Sequence, residues 1–531
     1  MRAASSMGSA SFEDGRAGGA SPCQAMTQAR AGRFGQVRRN LHGAGWRPID
    51  RKRRQRHPAG GRKEPGRRGA MSSCLRGLRR AGCFAGLLVI AGSAAAAPPK
   101  HVVFFIGDGM GFEHVELARR WAAADSSALP FVDWPLRLAV STTPAGAPPY
   151  DPEAYWGDPA SRHHKVTDSA AAATALATGV KTGNGMLGLT PDGRPLHNLT
   201  EWLGERGLAC GVVSTVPFVH ATPAGFAVHV PRRDDYLKIA RQLLLETRLR
   251  VIIGCGHPHY DGGGRFLDDP RGYEQVGGRP LWDGLLAGAT AFDLDSDGAP
   301  DAELPDLDGD GRRDPWRLIQ ERAAVQALAA GPAPLRLLVV PQVASTLQEE
   351  RPGDPEGAPF AVPRTASLPT LAELSLAAIN TLDDDPDGFF LMIEAGAIDW
   401  AAHANAGGRL VEELLDFGAA VAAVADWVER ESNWEETLLI VTADHETGGL
   451  SLRDAGAAAP AALGLPAHEW SSESHTNALV PLYAVGRGSE SLPALAEGRD
   501  PRRGPYLDNA QLAPAIRALW AAPAAGAAPG R

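Results

Sequence analysis

Eleven residues decide the fold class of this chain: His101-Val-Val-Phe-Phe-Ile-Gly-Asp-Gly-Met-Gly111. The first six are continuously apolar and rich in β-formers, which is typical of a strand buried on both faces of a sheet. The glycines beside Asp108 permit a tight turn and leave its carboxylate accessible, and a helical pattern follows from Glu113. Strand, glycine-rich turn and helix predict the start of an α/β fold, although this stretch alone favours a helix N-cap or turn former as the role of Asp108.

The same pattern recurs three more times along the chain. Continuous apolar runs at 209–214, 389–393 and 438–442 predict further buried strands. Polar residues that can carry chemistry follow these runs: Thr222, Glu394, Asp444 and His445. Because the carboxyl ends of parallel strands lie at one edge of a sheet, we expect these side chains to meet Asp108 there. The predicted fold class is α/β, a three-layer sandwich with a large, mostly parallel central sheet flanked by helices.

Another helix is predicted to begin beside Ser169. Asp168 and Ser169 are residue types that cap helix N-termini. The alanine-rich run 170–178 favours a helix, and Gly179 stands where many helices end. Ser169 would therefore lie at the positive end of a helix dipole, where free backbone N–H groups suit phosphate. Such a helix is more often a packing element, so a chemical role for Ser169 depends on the rest of the chain.

More candidate ligands lie further along the chain. Asp399 and His403 are spaced i, i+4, which places both on one helical face as metal ligands or as a plain ion pair. His475 stands at the entrance of a predicted strand at 479–485, and Arg233 offers a planar guanidinium for a phosphate dianion. The candidate site residues are Asp108, Ser169, Thr222, Arg233, Glu394, Asp399, His403, Asp444, His445 and His475.

The chemistry of this set favours two kinds of metal ion. Three histidines with carboxylates suit zinc, whereas aspartate, threonine and glutamate oxygens suit magnesium. A serine at a helix N-terminus beside zinc can act as a nucleophile, because the metal stabilises its alkoxide.

At these positions the chain resembles the alkaline phosphatases. The matching pieces occur in the family's order: Gly107–Gly111, Val166–Ala170 with Gly179–Thr182, His220–Pro223, Glu394 with Asp399 and His403, Thr442–Gly449, and His475-Thr476. Together they span about residues 101–490. The resemblance implies hydrolysis of phosphate monoesters to an alcohol and inorganic phosphate through a phosphoserine, with two Zn²⁺ and one Mg²⁺. It also implies a homodimer.

The resemblance implies a role for each matched residue. Ser169 is the nucleophile, and Arg233 binds phosphate, with Arg232 as the adjacent alternative. One zinc is held by Asp399, His403 and His475, and the other by Asp108, Ser169, Asp444 and His445. Magnesium is held by Asp108, Thr222 and Glu394. Family members vary at the positions of His220 and Trp400, and this variation affects the third metal site.

The N-terminal part of the chain differs sharply in charge from the rest. Residues 1–70 contain 14 Arg and 2 Lys against 4 acidic residues, a net +12 in a chain of −9, which leaves −21 for the remainder. They contain few large apolar residues, which predicts a basic disordered extension from a misassigned start. A basic run at 51–56 is typical of nucleic-acid binding, but we expect no nucleic-acid partner.

A secretory signal peptide is predicted at 71–97. Arg76, Arg79 and Arg80 form a positive region, residues 81–90 are apolar, and Ala95–Ala97 offers a cleavage site. We therefore expect a periplasmic or secreted protein without a stable membrane span after cleavage, and a membrane-anchored protein with a basic cytoplasmic tail is the alternative. The catalytic domain is predicted at 98–520, followed by a disordered tail at 521–531.

Of the five cysteines, three lie in the segments expected to be lost: Cys23, Cys74 and Cys83. Cys210 and Cys255 lie in apolar, strand-like runs. An exported protein would allow them to pair, but we predict two buried thiols.

An acidic repeat at 293–314 predicts calcium binding. It reads D-x-D-x-D-G-x-x-D twice and contains Asp293, Asp295, Asp297, Asp301, Asp306, Asp308, Asp310 and Asp314. Alternating carboxylates around a glycine turn can wrap Ca²⁺. The twelfth-position acids of an EF-hand are absent, since Leu304 and Arg317 stand there. We predict an Asp/Gly-rich insertion at about 255–320 with calcium loops, and an acidic surface segment is the alternative.

Three other functions are weighed against phosphate monoester hydrolysis. A phosphodiesterase of the same superfamily would need a pocket for a second ester group, which the sequence does not show. A sulfatase is disfavoured because four alanines follow Ser169 in place of a C/S-x-P-x-R motif. A non-catalytic, calcium-binding surface protein would not need so complete a set of zinc and magnesium ligands.

Overall fold

The computed structural model describes residues 97–122, 125, 127–453 and 464–521. All of them belong to one unit of the chain, Ile90–Arg531. Within these residues no helix is both long and apolar enough to cross a lipid bilayer.

Several predictions concern residues outside this described part. They are the basic extension at 1–70, the signal peptide up to residue 96, the tail from 522, and Cys23, Cys74 and Cys83. These remain predictions, as does the division of the chain into those segments.

An eleven-stranded sheet forms the centre of the domain. The described residues form these strands in chain order, eleven of which belong to that sheet: β1 (His101–Gly107), β2 (Leu136–Ser141), β3 (Ala209–Pro217), β4 (Val251–Cys255), β5 (Ala291–Phe292), β6 (Ala302–Glu303), β7 (Arg317–Ile319), β8 (Leu337–Val339), β9 (Phe389–Ala395), β10 (Thr437–Thr442), β11 (Glu446–Thr447), β12 (Ser451–Leu452), β13 (His468–Glu469), β14 (His475–Thr476), β15 (Val480–Gly486), β16 (Gly498–Asp500) and β17 (Gly504–Asp508). The central sheet has the order β16-β17-β2-β15-β10-β1-β9-β3-β4-β8-β7. From β10 to β7 in that order each strand is parallel to the next, whereas β15 is antiparallel to β10.

Helices connect and cover these strands. They are α1 (Phe112–Trp121), α2 (Pro152–Gly157), α3 (Ser169–Thr178), α4 (Leu199–Gly204), α5 (Ala221–Gly225), α6 (Tyr236–Arg241), α7 (Arg279–Leu286), α8 (Arg322–Leu328), α9 (Leu371–Leu382), α10 (Ala397–His403), α11 (Gly407–Glu431) and α12 (Leu512–Ala521). Short 3₁₀ segments lie at Pro130–Asp133, Pro159–His163, Tyr273–Val276, Ser489–Leu495 and Asn509–Gln511, and a π-helical turn at Gln242–Glu246 continues α6.

Helices lie against both faces of the sheet. Successive side chains of a strand point to opposite faces, so the side chains of Phe104 and Phe105 in β1 lie on opposite faces of the sheet. The Phe105 ring lies 5.8 Å from that of Phe417 in α11, and the Phe104 ring lies 5.8 Å from that of Phe226 beside α5. All four side chains are buried. The predicted α/β sandwich with a mostly parallel central sheet is confirmed.

The register of the sheet aligns the carboxyl ends of its central strands. Ile106 at the end of β1 pairs with Thr442 of β10 on one side and with Glu394 of β9 on the other. Glu394 in turn pairs with Ser214 of β3. The residues that follow these strands therefore start at the same edge of the sheet, as the sequence predicts.

The segment predicted as an insertion contributes to the folded domain. β7, near its end, belongs to the central sheet through its pairing with β8. Trp282 in α7 is 1% exposed and Leu304 is 0% exposed, so this segment buries apolar side chains. Its status as an insertion, at 255–320, stays a prediction.

The two described cysteines are free and buried, as predicted. The thiol of Cys255 donates a hydrogen bond to the carbonyl of Thr215 at 3.3 Å. Burial raises the pKa of the Cys210 thiol to about 12, so this group stays protonated at ordinary pH.

Candidate active site

Ser169 is the first residue of α3, as the capping pattern predicts. A carboxylate oxygen of Asp168 accepts a hydrogen bond from the backbone N–H of Ala171 at 2.9 Å, and Gly179 ends the helix with φ of +83°. Ser169 is 1% exposed, and its Oγ lies 3.1 Å from Nε2 of His445. The hydroxyl therefore meets a histidine at the positive end of a buried helix.

Asp168 also holds Arg233 at the start of this helix. Its Oδ2 accepts hydrogen bonds from Nη1 of Arg233 at 3.1 Å and from the backbone N–H of Gly185 at 3.0 Å. Arg232, by contrast, is exposed and pairs with Asp234 at 2.7 Å. Of the two adjacent arginines, Arg233 is the one that lies beside Ser169.

Asp399, His403 and His475 come together as one group of ligand atoms. Nε2 of His403 lies 3.3 Å from Oδ2 of Asp399, and Nε2 of His475 lies 3.6 Å from Oδ1. The two Nε2 atoms are 3.1 Å apart. Nδ1 of each ring is bonded to a backbone carbonyl, that of Glu473 at 2.5 Å and that of Thr167 at 2.9 Å. These bonds turn both Nε2 atoms towards Asp399, which is how metal-binding histidines are oriented.

A second group contains Asp108, Asp444 and His445. Nε2 of His445 lies 3.4 Å from Oδ1 of Asp108 and 3.2 Å from Oδ2 of Asp444. The other oxygen of Asp444 accepts a hydrogen bond from the backbone N–H of Gly109 at 3.1 Å. The rings of His445 and His475 stack with centroids 3.6 Å apart, so the two groups adjoin.

A third group contains Asp108, Glu394 and His220, whose ligand atoms lie within 4.8 Å of one another. The prediction for this site was Asp108, Thr222 and Glu394. His220 was noted only as a position that varies, so its place among the ligand atoms is a finding of the structure. Its ring packs edge-on against Trp400, with centroids 5.9 Å apart.

Two hydroxyl groups that support the site were missed by the sequence reading. Thr447 Oγ1 donates a hydrogen bond to Asp399 and lies 3.3 Å from Nδ1 of His445, so it links the first two groups. Ser214 Oγ donates a hydrogen bond to Glu394. Thr447 lies within the Thr442–Gly449 motif and Ser214 is the last residue of the apolar run 209–214, but neither pattern predicts these hydrogen-bond partners.

These groups fit cations because their buried polar atoms lack partners. Among the described residues, the buried atoms without a hydrogen bond include both carboxylate oxygens of Asp108, Oδ2 of Asp444, Oε1 of Glu394, Oγ1 of Thr222 and Nδ1 of His220. An unsatisfied buried polar group costs about 1–3 kcal/mol. Nearly all of these atoms are lone-pair donors at one edge of the sheet, which is the arrangement that bound metal ions satisfy.

Burial also disfavours charge on these carboxyls in the absence of cations. It raises the pKa of Glu394 and of Asp444 to about 7 each, with the charge of Asp399 adding to the effect. Burial and the neighbouring carboxylates raise the pKa of Asp108 well above its usual range. Burial lowers the pKa of His445 well below its usual range, which keeps the ring neutral and able to act as a ligand.

An open cavity of about 580 Å³ gives access to this site. Its lining residues are Ser169, His220, Arg233, Glu349, Glu350, Asp399, Trp400, His403, Ala404 and His475. The serine, the arginine and the first ligand group therefore face one common space, large enough for a small-molecule ester.

The acidic repeat forms two separate groups outside this cavity. Ligand atoms lie within 4.8 Å of one another in Asp293, Asp295 and Asp297, and again in Asp306, Asp308 and Asp314. Asp301 and Asp310 lie outside these groups and accept hydrogen bonds from backbone N–H groups of their own loops, as Asp293 and Asp314 within the groups also do. Calcium binding in the repeat stays a prediction.

Comparison with known proteins gives matches over most of the described domain. A family model described as "Alkaline phosphatase" matches residues 99–265 and 353–488. The chain is 28% identical to "Alkaline phosphatase 3" of Bacillus subtilis (strain 168) over 425 residues, which cover 78% of this chain and 72% of that protein. It is 31% identical to "Streptomycin-6-phosphate phosphatase" of Streptomyces griseus over 364 residues, which cover 66% of this chain and 74% of that protein.

The fold is similar to the solved structure of the alkaline phosphatase from the Antarctic bacterium TAB5. The TM-score is 0.55 at 22% identity, and the match covers 80% of this chain and 99% of that one. Residues 266–352, which contain the acidic repeat, lie outside the family match.

The raised carboxyl pKa values predict how Asp444 affects stability without metal ions. Between the usual pKa of an unfolded Asp, about 3.9, and about 7, the folded protein binds more protons than the unfolded one, so stability is lost as pH rises. Asp444→Asn removes this loss. In chelator-treated protein we expect the variant to be more stable than the wild type at pH 8, with a smaller difference at pH 5, in thermal unfolding.

Zn²⁺ should reverse the order of the two proteins at pH 8, because the ion binds the ionised carboxylate of the wild type. Buried histidines with lowered pKa values, such as His445, are present in both proteins and affect both alike. The difference in stability between the two proteins therefore measures the effect of Asp444. The assignment of Asp444 as a buried metal ligand would be contradicted if the difference in thermal stability between the two proteins stayed the same from pH 5 to 8, with and without Zn²⁺.

Proposed function

Because this chain belongs to the alkaline phosphatase family, whose members hydrolyse phosphate esters, we propose that it hydrolyses phosphate monoesters to an alcohol and inorganic phosphate through a phosphoserine at Ser169. One observation carries the proposal. The Ser169 hydroxyl, at the start of α3, faces one cavity together with Arg233 and the group Asp399, His403 and His475.

We propose that this site holds two Zn²⁺ and one Mg²⁺. Asp399, His403 and His475 would hold one zinc, and Asp108, Asp444, His445 and Ser169 the other. Asp108, Thr222 and Glu394 would hold magnesium, with His220 as an additional ligand atom within reach. When bound, such ions supply Lewis-acid stabilisation of a serine alkoxide and of the negative charge on the leaving oxygen.

The protein's own groups bind and orient the ester. The Arg233 guanidinium, held by Asp168, would bind two phosphoryl oxygens through its planar donors. The N-terminus of α3 adds the positive end of a helix dipole. Phosphoryl transfer is catalysed largely by such positioning and charge stabilisation.

Two successive transfers follow from this arrangement. The Ser169 Oγ forms a bond to phosphorus while the bond to the ester oxygen breaks, and the alcohol leaves with a proton. Water then attacks the phosphoserine, the bond between phosphorus and Oγ breaks, and the serine hydroxyl and inorganic phosphate are released. Each in-line step inverts phosphorus, so the configuration is retained overall.

A phosphodiesterase of the same superfamily is the nearest alternative. Comparison of kcat/KM for p-nitrophenyl phosphate and bis(p-nitrophenyl) phosphate separates the two, and we expect the monoester to be preferred. The homodimer, the periplasmic or secreted location, and calcium in the acidic repeat remain proposals beside this one. Size-exclusion chromatography with light scattering would test the dimer.

Substitution of the nucleophile should abolish turnover. Ser169→Ala removes the only atom proposed to bond with phosphorus, so we expect kcat for p-nitrophenyl phosphate to fall by at least about 10³-fold. Ser367→Ala, at an exposed serine outside the cavity, is the matched control and should retain activity. Full activity in Ser169→Ala would disprove the phosphoserine route.

The adjacent arginines provide a matched pair for phosphate binding. Hydrogen bonds to charged groups contribute about 1.5–3 kcal/mol each, so Arg233→Ala should lower kcat/KM roughly 10- to 100-fold and weaken inhibition by inorganic phosphate to a similar extent. Arg232→Ala removes the same charge from an exposed position and should change both constants by less than about twofold. The opposite pattern would move the phosphate site to Arg232.

Metal content gives a direct test of the proposed ligand sets. Elemental analysis of the purified protein should give two zinc ions and one magnesium ion per chain. Chelation should reduce monoester hydrolysis to the background rate, and addition of both ions should restore it. His403→Ala should lower the zinc content, whereas Glu394→Gln should lower the magnesium content. Full activity after complete removal of metal would contradict the proposal and favour a site without metal catalysis.

A further inference from the structure

Two consecutive carboxylates face the same cavity as Ser169. Glu349 and Glu350 lie in the connection between β8 and α9. Both line the cavity, and neither belongs to the proposed metal-ligand groups. They fall in residues 266–352, which the family model does not match. The catalytic proposal uses neither of them.

Glu349 is a largely buried residue whose carboxylate makes no direct contact with a positive group among the described residues. It is 9% exposed, and within the described part of the chain no hydrogen bond or ion pair is made by its carboxylate. Burial and the charge of Glu350 raise its pKa to about 7, so it is ionised at alkaline pH. An ionised carboxylate in such a position is stabilised by a cation in the cavity.

The nearby arginines are already engaged elsewhere. Arg351 pairs with Glu412 and donates to the backbone carbonyls of Gln348, Val362 and Pro363. Nη2 of Arg409 donates to the carbonyl of Arg351, and Nη1, which makes no hydrogen bond, lies 3.6 Å from Glu412. The charges of these two arginines oppose the rise in the pKa of Glu349 but do not cancel it, since burial is the larger effect.

Glu350 is held at the exposed rim of the same cavity. Its carboxylate accepts a hydrogen bond from Ser345 Oγ, and its backbone N–H donates to Thr346 Oγ1 at 2.8 Å. These bonds keep its charge beside that of Glu349.

The pair is unfavourable for an ordinary anionic substrate. Arg233 attracts a phosphate dianion into the cavity, whereas two carboxylates repel it across a partly buried space. A positive charge on the alcohol part of the ester would offset this repulsion. Trp400 lines the cavity as well, and an indole face binds ammonium groups through cation–π attraction.

We propose that this protein selects phosphate monoesters whose alcohol carries an ammonium group, and that Glu349, Glu350 and Trp400 bind that group while Arg233 binds the phosphate. This inference depends on the proposed function, because it names the substrate class of the same site. It assigns the two carboxylates that bind the ammonium group to a segment outside the family match, whereas Trp400 lies within the match.

The test compares two esters of the same shape and different charge. Choline phosphate carries a trimethylammonium group, and 3,3-dimethylbutyl phosphate carries a neutral tert-butyl group in its place. We expect the wild type to prefer choline phosphate in kcat/KM by about tenfold or more at pH 8.5. In the double variant Glu349→Gln, Glu350→Gln the ratio should fall towards one. Glu356→Gln removes an exposed carboxylate from the same connection and should keep the wild-type ratio.

Binding without turnover separates this inference from the catalytic proposal. In Ser169→Ala, calorimetry should give tighter binding of choline phosphate than of its neutral analogue, and the double glutamine substitution on that background should remove the difference. If p-nitrophenyl phosphate is hydrolysed but the wild type treats both esters alike, the inference is wrong. It is also wrong if the preference survives in the double variant. If no ester is hydrolysed by the wild type, the proposed function fails, and the binding ratio still decides whether the cavity selects an ammonium group.

Discussion

The site depends on carboxylates that the sheet forces together in a buried place. Asp108 follows β1, and its neighbours in the sheet, β9 and β10, deliver Glu394 and Asp444 to the same edge. All three side chains are 0% exposed, and several of their oxygens lack any hydrogen bond. Like charges at this separation and burial cannot all ionise unless cations are present. The strand register therefore places carboxylates where bound metal ions or protons are needed to neutralise them, whether or not substrate is bound.

One residue couples the helix that carries Ser169 to Arg233, the residue proposed to bind phosphate. Asp168 uses one carboxylate oxygen to cap α3 and the other to hold Arg233. A change in the helix start would therefore also move the guanidinium. Thr447 has a comparable role between the ligand groups, since its hydroxyl contacts both Asp399 and His445. Such shared contacts hold the reacting groups in one geometry, which is the condition for catalysis by positioning.

The residues that line the cavity come from two parts of the chain, one that matches the family model and one that does not. Ser169, Arg233 and the ligand histidines lie in segments that match the family model, whereas Glu349 and Glu350 lie in the unmatched residues 266–352. That unmatched segment is nevertheless tied into the domain, because it includes β7 and β8 of the central sheet. The two carboxylates proposed to bind the alcohol therefore come from the unmatched segment, whereas Trp400 and the residues proposed for phosphoryl transfer lie in matched segments.

The sequence by itself determined the buried strands, the glycine-rich turn at Asp108 and the cap at Asp168. Each of these follows from apolar runs or from neighbours within four positions, which is the range over which backbone geometry acts. Only the tertiary structure put Arg233 rather than Arg232 beside Asp168, brought His220 to Asp108, and placed Thr447 and Glu349. Those outcomes join residues far apart in the chain, such as Asp168 and Arg233, separated by 65 positions, or Ser169 and His445, separated by 276. They depend on strand order and register, which no local pattern contains.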